Sequence, residues 1–254
     1  MNLTLILVGA FLAGCIDAMV GGGGLIQLPT LFAAYPQEAP ARLLGTSKLA
    51  GVFGTASAVA RFSRAVSIPW KLLTPGLAIA FVASLAGAIL ATHIPAGVFR
   101  PLVPIMLTVV LAYTLLRKDL GQVHVPRELQ RNHYIAAGVL IGAIGCYDGF
   151  FGPGTGSFFM ILFIRLFGFD FLNAAAAARV LNVATNVAAL AWFGLHGNVI
   201  WMIGLAMAVC NVAGAQLGTR LAVRGGSRLM RAVFIAVVSI LIAKTARDAW
   251  GVSG

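Results

Sequence analysis

Long apolar segments recur along the whole chain, and short polar or glycine-rich interruptions separate them. Many segments approach the roughly 20 residues that cross a bilayer as a helix. They lack the polar and apolar alternation that a membrane β-barrel requires. The pattern predicts an all-α polytopic membrane bundle of about ten helical segments, two of them short or broken. The segments are 3–19, 25–35, 44–60, 72–92, 98–116, 134–150, 156–168, 174–194, 199–222 and 229–248.

The chain contains two copies of one unit, related by an offset of 131 residues without a gap. The first copy reads Gly14-Cys15-Ile16-Asp17, and the second reads Gly145-Cys146-Tyr147-Asp148. The same offset pairs Lys48 with Arg179, Trp70 with Trp201, Gly87 with Gly218, Leu90 with Leu221 and Arg100 with Arg231. We expect a first repeat over 1–116, a polar linker over 117–133 and a second repeat over 134–254, with five helical segments in each repeat.

The basic residues predict that the two repeats are inverted in the membrane, because positive loops prefer the cytoplasm. The connection after the third segment is basic in repeat one, and the connection after the fourth segment is basic in repeat two. The residues are Arg61, Arg64 and Lys71 in the first case and Arg220, Arg224, Arg228 and Arg231 in the second. An odd number of crossings per unit produces this inversion and a cytoplasmic linker. A short segment that enters and returns preserves the parity, so spanning and re-entrant forms both stay open.

Composition excludes a soluble protein, since 60% of the residues are hydrophobic and only 10% are charged. That is more apolar surface than one globular core can hide. The net charge of +11 fits basic cytoplasmic loops and not a nucleic-acid interface. Three cysteines in apolar segments give neither a disulfide framework nor metal spacing. We expect a multi-pass protein of the cell inner membrane that uses no cofactor and no metal.

Glycine-rich breaks interrupt the apolar pattern at the same place in both repeats. Successive glycines disfavour a helix interior by about 1 kcal/mol each, so the chain is expected to stop and restart there. The short helix that follows would present free backbone N–H groups, which favour an anion. The candidate binding residues are Gly21, Gly22, Gly23 and Gly24 in repeat one and Gly152, Gly154, Thr155, Gly156 and Ser157 in repeat two. The alternative is a tight helix crossing. Nucleotide binding is not expected, because no Lys precedes the hydroxyl residues.

A polar stripe follows each repeat's cation along one face of a predicted helix. Arg179, Asn182 and Asn186 lie at i, i+3 and i+7, and Lys48 and Thr55 occupy matching positions in repeat one. Such a stripe should face the bundle interior or a wet cavity rather than lipid. We therefore predict a small-anion site at the repeat interface. The alternative is that both cations are interfacial charges at helix starts.

Asp17 and Asp148 are carboxylates within or close to the membrane, where an unpaired charge is unfavourable. They could carry protons, or they could pair with Lys48 and Arg179 and brace the site. Cys15 and Cys146 could contact a soft sulfur-bearing ligand, although such cysteines are more often packing residues.

Four motifs strongly resemble the sulfite exporter TauE/SafE family, in its branch of probable bacterial inner-membrane transporters. They are Ile16 to Leu25, Gly45-Thr46-Ser47-Lys48, Tyr147 to Phe158 and Ala178 to Asn186. The similarity extends over essentially the whole chain, with Ser47 where the family commonly has Asn. The resemblance implies movement of small sulfur-containing anions such as sulfite, thiosulfate or organosulfonates.

Together these features predict a secondary transporter rather than an enzyme. Its partners would be a small anion, the lipid bilayer and, if Asp17 and Asp148 titrate, protons. Substrate would pass by alternating access at the repeat interface. A passive anion channel is the main alternative, followed by a membrane assembly factor or an intramembrane enzyme.

Overall fold

The computed structural model describes residues 3–95, 97–98, 105 and 131–249, and for residues 226–249 it describes the backbone alone. The described residues form eight α-helices and no strand. The helices are α1 (Leu3–Val20), α2 (Gly24–Ala34), α3 (Pro40–Phe62), α4 (Trp70–His93), α5 (Arg131–Phe150), α6 (Thr155–Phe167), α7 (Phe171–Leu195) and α8 (Trp201–Ala249).

Five helices within the described part are long and apolar enough to cross a membrane. They are α1, α3, α4, α7 and the Trp201–Gly225 part of α8. Large apolar side chains on their outer faces are exposed, among them Leu5, Val82, Met202 and Val209. A soluble monomer rarely exposes so much apolar surface, whereas lipid covers it without cost. The predicted all-helical membrane bundle is confirmed at this level.

Helix bounds follow the hydropathy pattern with one correction. The predicted segments 199–222 and 229–248 are one continuous helix, α8. Gly225 and Gly226 lie at the expected break, but two glycines weaken a helix without ending it, and no proline accompanies them. The predicted segment 98–116 and the linker 117–133 lie outside the described residues, apart from positions 98 and 105 and the start of α5 at Arg131.

Helices α1 and α8 pack together, and so do α5 and α4, which occupy the corresponding positions in the other half. Small residues bring these backbones into direct contact. Gly218 lies against the carbonyl oxygen of Cys15, and Gly87 lies against the carbonyl oxygen of Cys146. These are the same contact after the 131-residue offset. Each half therefore packs its fourth helix against the first helix of the other half.

Helices α3 and α7 run antiparallel through the centre of the molecule. The backbone N–H of Ile200, just beyond α7, donates to Thr46 Oγ1 near the start of α3 at 2.9 Å. Next to it, Gly45 leaves no room for a side chain beside the carbonyl oxygen of Asn198. The start of one central helix thus lies beside the end of its counterpart.

We expect Gly87→Ala to destabilise the protein, because the added Cβ would overlap the Cys146 carbonyl oxygen and the Phe150 backbone nitrogen. Forcing extra atoms into a packed contact costs about 1–3 kcal/mol. The matched control is Gly138→Ala on α5, where the new Cβ meets only Ile79 at an ordinary 3.5 Å. Thermal unfolding in detergent should show a lowered midpoint for the first variant alone. Equal midpoints would contradict the backbone contact.

Candidate functional site

Two glycine-rich breaks lie at the centre of the bundle, one between α1 and α2 and the other between α5 and α6. Gly21 has φ +84°, and its counterpart Gly152 has φ +100°. Gly154, the residue before α6, has φ +82°. Residues with a side chain rarely adopt this left-handed region, so glycine is needed at these positions. The predicted stop and restart of the chain occurs at both breaks.

The two breaks touch each other. A Cβ on Gly21 would overlap the backbone of Gly156 and Ser157, so the chains meet without intervening side chains. Ser157 Oγ also donates to the carbonyl oxygen of Val20 at the end of α1, at 2.7 Å. Nearby, Gly24 approaches the backbone of Pro153. The breaks therefore form a close crossing between the halves as well as two helix N-termini.

Two ion pairs cross between the halves at this point, one fully buried and one with a partly exposed carboxylate. Lys48 Nζ lies 2.8 Å from Asp148 Oδ2, and the two side chains are 7% and 2% exposed. Arg179 Nε lies 3.9 Å from Asp17 Oδ2, with side chains 0% and 20% exposed. The offset relates one pair to the other. The carboxylates thus contact the cations, which is the bracing arrangement considered from sequence.

Arg179 makes further contacts that fix the first break. Its Nη2 donates to the backbone carbonyl oxygen of Asp17 and lies 3.9 Å from Met160 Sδ. Its Nη1 faces Gly156, where an added Cβ would approach it to 3.2 Å. Nε and Nη1 make no hydrogen bond within the described part of the chain. Arg179 is therefore held beside the crossing of the two breaks by its contact with the backbone at the end of α1.

A cavity of about 50 Å³ lies beside the ion pairs. It has room for a few water molecules or a small ion. Both halves contribute to its wall. The candidate residues that line it are Asp17, Gly21, Gly23, Gly24, Lys48, Thr55, Asp148, Gly152, Gly156, Asn182 and Asn186.

The other candidate residues are not among those that line the cavity. They are Gly22, Gly154, Thr155, Ser157, Arg179, Cys15 and Cys146. The hydroxyls of Thr155 and Ser157 donate to the carbonyl oxygens of Gly152 and Val20, each at 2.7 Å. Cys15 and Cys146 lie where the paired helices cross.

The polar stripe on α7 faces the interior, as predicted. Asn182 Oδ1 accepts from Asn186 Nδ2 at 3.2 Å and from Thr185 Oγ1 at 3.3 Å. On the facing helix, Thr55 Oγ1 donates to the carbonyl oxygen of Gly51. Gly51 leaves space beside the Asn186 amide. The stripe therefore supplies side-chain amides to one wall of the cavity.

Three further polar residues line the cavity and were not among the candidates: Gln27, Ser47 and Asn211. Gln27 Nε2 donates to Ser47 Oγ at 3.0 Å, and Asn211 Nδ2 donates to Gln27 Oε1 at 2.9 Å. Gly54 makes room for Asn211. Their counterparts in the other half are Phe158, Ala178 and Ala80. The sequence signal that could have identified them is a polar residue aligned with an apolar residue when the two repeats are compared.

The fold and the site define a polytopic membrane protein with a charged, glycine-lined cavity between two related halves. A sequence model of the sulfite exporter TauE/SafE family matches residues 6–245. The chain belongs to this family. No solved structure matches it.

Relatives that match nearly the whole chain carry transporter names. "Probable membrane transporter protein ORF9" of Sinorhizobium sp is 37% identical over 242 residues, covering 95% of this chain and 90% of the relative. "Probable membrane transporter protein YfcA" of Escherichia coli K12 is 38% identical over 244 residues, covering 95% and 88%. A "Probable membrane transporter protein" of Haemophilus influenzae is 34% identical, covering 94% and 92%. These findings confirm the resemblance and the membrane location predicted from sequence, and they fit a transporter rather than an enzyme.

We expect Asp148→Asn to destabilise the protein by about 3–5 kcal/mol, because it leaves Lys48 buried without its counter-charge. The double variant Lys48→Met/Asp148→Asn should recover most of that loss, since no isolated charge remains. The control is Glu38→Gln, which breaks a partly exposed pair with Arg42 and should cost about 1 kcal/mol or less. Thermal and denaturant unfolding in detergent measure all three. A double variant no more stable than the single one would contradict a tightly coupled pair.

Proposed function

We propose that this protein is a secondary transporter for a small sulfur-containing anion such as sulfite, thiosulfate or an organosulfonate. The observation that carries the proposal is the pair of cross-half ion pairs beside a cavity at two helix breaks. Intramembrane ionisable residues facing a cavity are typical of transport pathways. Family membership supports the substrate class, and the small volume of the cavity agrees with a small ion.

We further propose that the halves form an inverted repeat, which supplies the alternating access. Their reciprocal packing and the antiparallel course of α3 and α7 support this arrangement. Arg61 and Arg220 line the same cavity, and the residues related to them by the offset are the uncharged Trp192 and Ile89. Positive charge is therefore concentrated at one of the two related positions, as inversion with a single cytoplasmic side predicts. Exchange of conformation between two such halves would open the central cavity first to one side and then to the other.

Lys48 is the proposed direct anion ligand, because it lines the cavity and Arg179 does not. The start of α2 at Gly24 and the backbone of Gly156 near the start of α6 would add partial positive charge. Asn182 and Asn186 would orient the ligand with their amides. Arg179 would add its charge from behind the wall and hold the crossing together.

Proton coupling follows from the charge balance of the site. The two cations and two carboxylates sum to zero, so an added anion would leave an unbalanced negative charge in a low-dielectric region. A proton on Asp148 would release Lys48 to bind the anion and would keep the site neutral. We therefore propose that one proton accompanies a monovalent anion in the same direction.

We expect saturable uptake of labelled sulfite into proteoliposomes, accelerated when the outside is more acidic than the lumen. Lys48→Met/Asp148→Asn should fold, but its flux should be about 30-fold or more below that of the wild type, because the anion loses its charged ligand. The control is Glu38→Gln/Arg42→Gln, which removes a partly exposed ion pair and should retain wild-type flux.

The outcomes separate the parts of the proposal. Full flux in the Lys48→Met/Asp148→Asn variant would refute the site. Flux that neither saturates nor responds to the pH gradient would indicate a passive channel. If the wild type moves neither sulfite, thiosulfate nor an organosulfonate, the substrate class is wrong.

The inverted repeat predicts which positions share a membrane side. In a background without Cys15, Cys146 and Cys210, the variants Arg64→Cys and Arg224→Cys should react with an impermeant maleimide from one side. Their offset counterparts, Leu195→Cys and His93→Cys, should react from the other side. Labelling of all four from one side, or separation of positions 64 and 224, is incompatible with inversion.

A further inference from the structure

A second, larger cavity lies between the end of α3 and the middle of α8, and arginines surround it. Its volume is about 300 Å³, six times that of the central cavity. Four arginines line it, together with Gln216, Ala60, Ala65 and Val223. They are Arg61, Arg64, Arg220 and Arg224. None of these lining residues is acidic, so the wall carries four positive charges.

One arginine is positioned by neutral groups. Arg61 Nη1 donates to Gln216 Oε1 at 2.8 Å, and Gln216 Nε2 donates to the carbonyl oxygen of Ser57 at 3.2 Å. This chain of hydrogen bonds fixes the guanidinium without neutralising it. Like charges around one cavity repel each other, and a bound anion removes that repulsion. The planar guanidinium fork is well suited to two-pronged contact with phosphate oxygens.

Duplication does not account for this cluster. The offset relates its five polar residues to an almost uncharged set in the other half. The counterparts of Arg61, Arg64, Gln216, Arg220 and Arg224 are Trp192, Leu195, Leu85, Ile89 and His93. The fold therefore accommodates four apolar residues and one histidine at the equivalent positions, so these positions do not require arginine. They are a feature of this one end of the molecule.

The surroundings of the cluster favour a ligand at the edge of the bilayer. Leu217 and Leu221, on either side of Arg220 along α8, are 42% and 39% exposed. Apolar side chains exposed on a spanning helix face lipid, so acyl chains can lie along α8 with a headgroup at the cavity. Basic pockets between membrane helices are known to bind phosphate-bearing headgroups.

We propose that this cavity is a second anion site, separate from the transport site, which binds a phosphate-bearing anion. The phosphate can belong to an anionic phospholipid headgroup or to a free phosphate compound. The proposal does not depend on sulfite transport, since it rests on the charge, volume and position of the cluster alone.

The test uses the purified full-length protein in neutral detergent. Cardiolipin, phosphatidylglycerol, phosphatidylcholine and inorganic pyrophosphate are added separately, and binding is followed by thermal shift and native mass spectrometry. The wild type is compared with Arg61→Gln/Arg64→Gln/Arg220→Gln/Arg224→Gln. A control, Arg42→Gln/Lys71→Gln/Arg131→Gln/Arg165→Gln, removes the same charge outside the cavity.

We expect the cavity variant to bind anionic lipid or pyrophosphate at least about tenfold more weakly than the wild type and the control, with phosphatidylcholine unaffected. Loss for cardiolipin and phosphatidylglycerol alone would identify a headgroup site. Displacement of these lipids by pyrophosphate would identify a site for free phosphate compounds.

Equal binding by the wild type and the cavity variant would overturn the proposal, and so would an equal loss in the control. If the cavity variant does not fold, the corresponding Arg→Lys variant carries the test. It keeps the charge but removes the two-pronged contact, so its binding should still be measurably weaker than that of the wild type. Unchanged binding there would refute recognition by the guanidinium groups.

Discussion

The centre of this protein depends on two ion pairs, each of which joins a cation of one half to a carboxylate of the other. Lys48 of the first half contacts Asp148 of the second, and Arg179 of the second contacts Asp17 of the first. A buried charge without its partner is strongly unfavourable, and more so within a bilayer. Either half alone would bury a cation and a carboxylate whose partners lie in the other half. The pairs therefore tie the two copies into one unit at the point where both chains break.

The two pairs are related by sequence but differ in their surroundings. Lys48 lines the cavity and lies close to its carboxylate, whereas Arg179 is fully buried and also binds the backbone at the end of α1. A lysine ammonium can exchange one anionic partner for another with a small movement of a flexible chain. Under the proposed function, Lys48 therefore contacts the substrate, and Arg179 preserves the geometry that makes the contact possible.

Much of this arrangement was predictable because the duplication shows, from sequence alone, which residues of the two halves are equivalent. Helix positions followed from hydropathy, and the offset identified Asp17, Asp148, Lys48 and Arg179 as related residues. The offset does not say whether a carboxylate meets the cation of its own half or of the other half. That choice depends on how the halves dock. The break expected near Gly225 does not occur. Proline removes a backbone hydrogen-bond donor and so interrupts a helix, whereas glycine keeps the donor and only weakens the helix.

Side-chain direction within the breaks was less predictable. The hydroxyls of Thr155 and Ser157 donate to backbone carbonyls because left-handed glycines set the local course of the chain. Hydrophobic periodicity carries no information about that course. The amides of Gln27 and Asn211 bond to each other between helices, but the place of Asn211 in the cavity wall depends on space left by Gly54.

Residues that are not matched by the repeat make the two halves of the molecule different. Two identical inverted halves would present the same surface to both sides of the membrane and would offer a substrate the same path in each direction. In the described part of the chain, the halves differ at the cavity wall with Gln27, Ser47 and Asn211 and at the arginine-lined cavity between α3 and α8. The repeated residues build the scaffold and its ion pairs. The unrepeated polar residues are therefore the proposed source of selectivity and of any preferred direction.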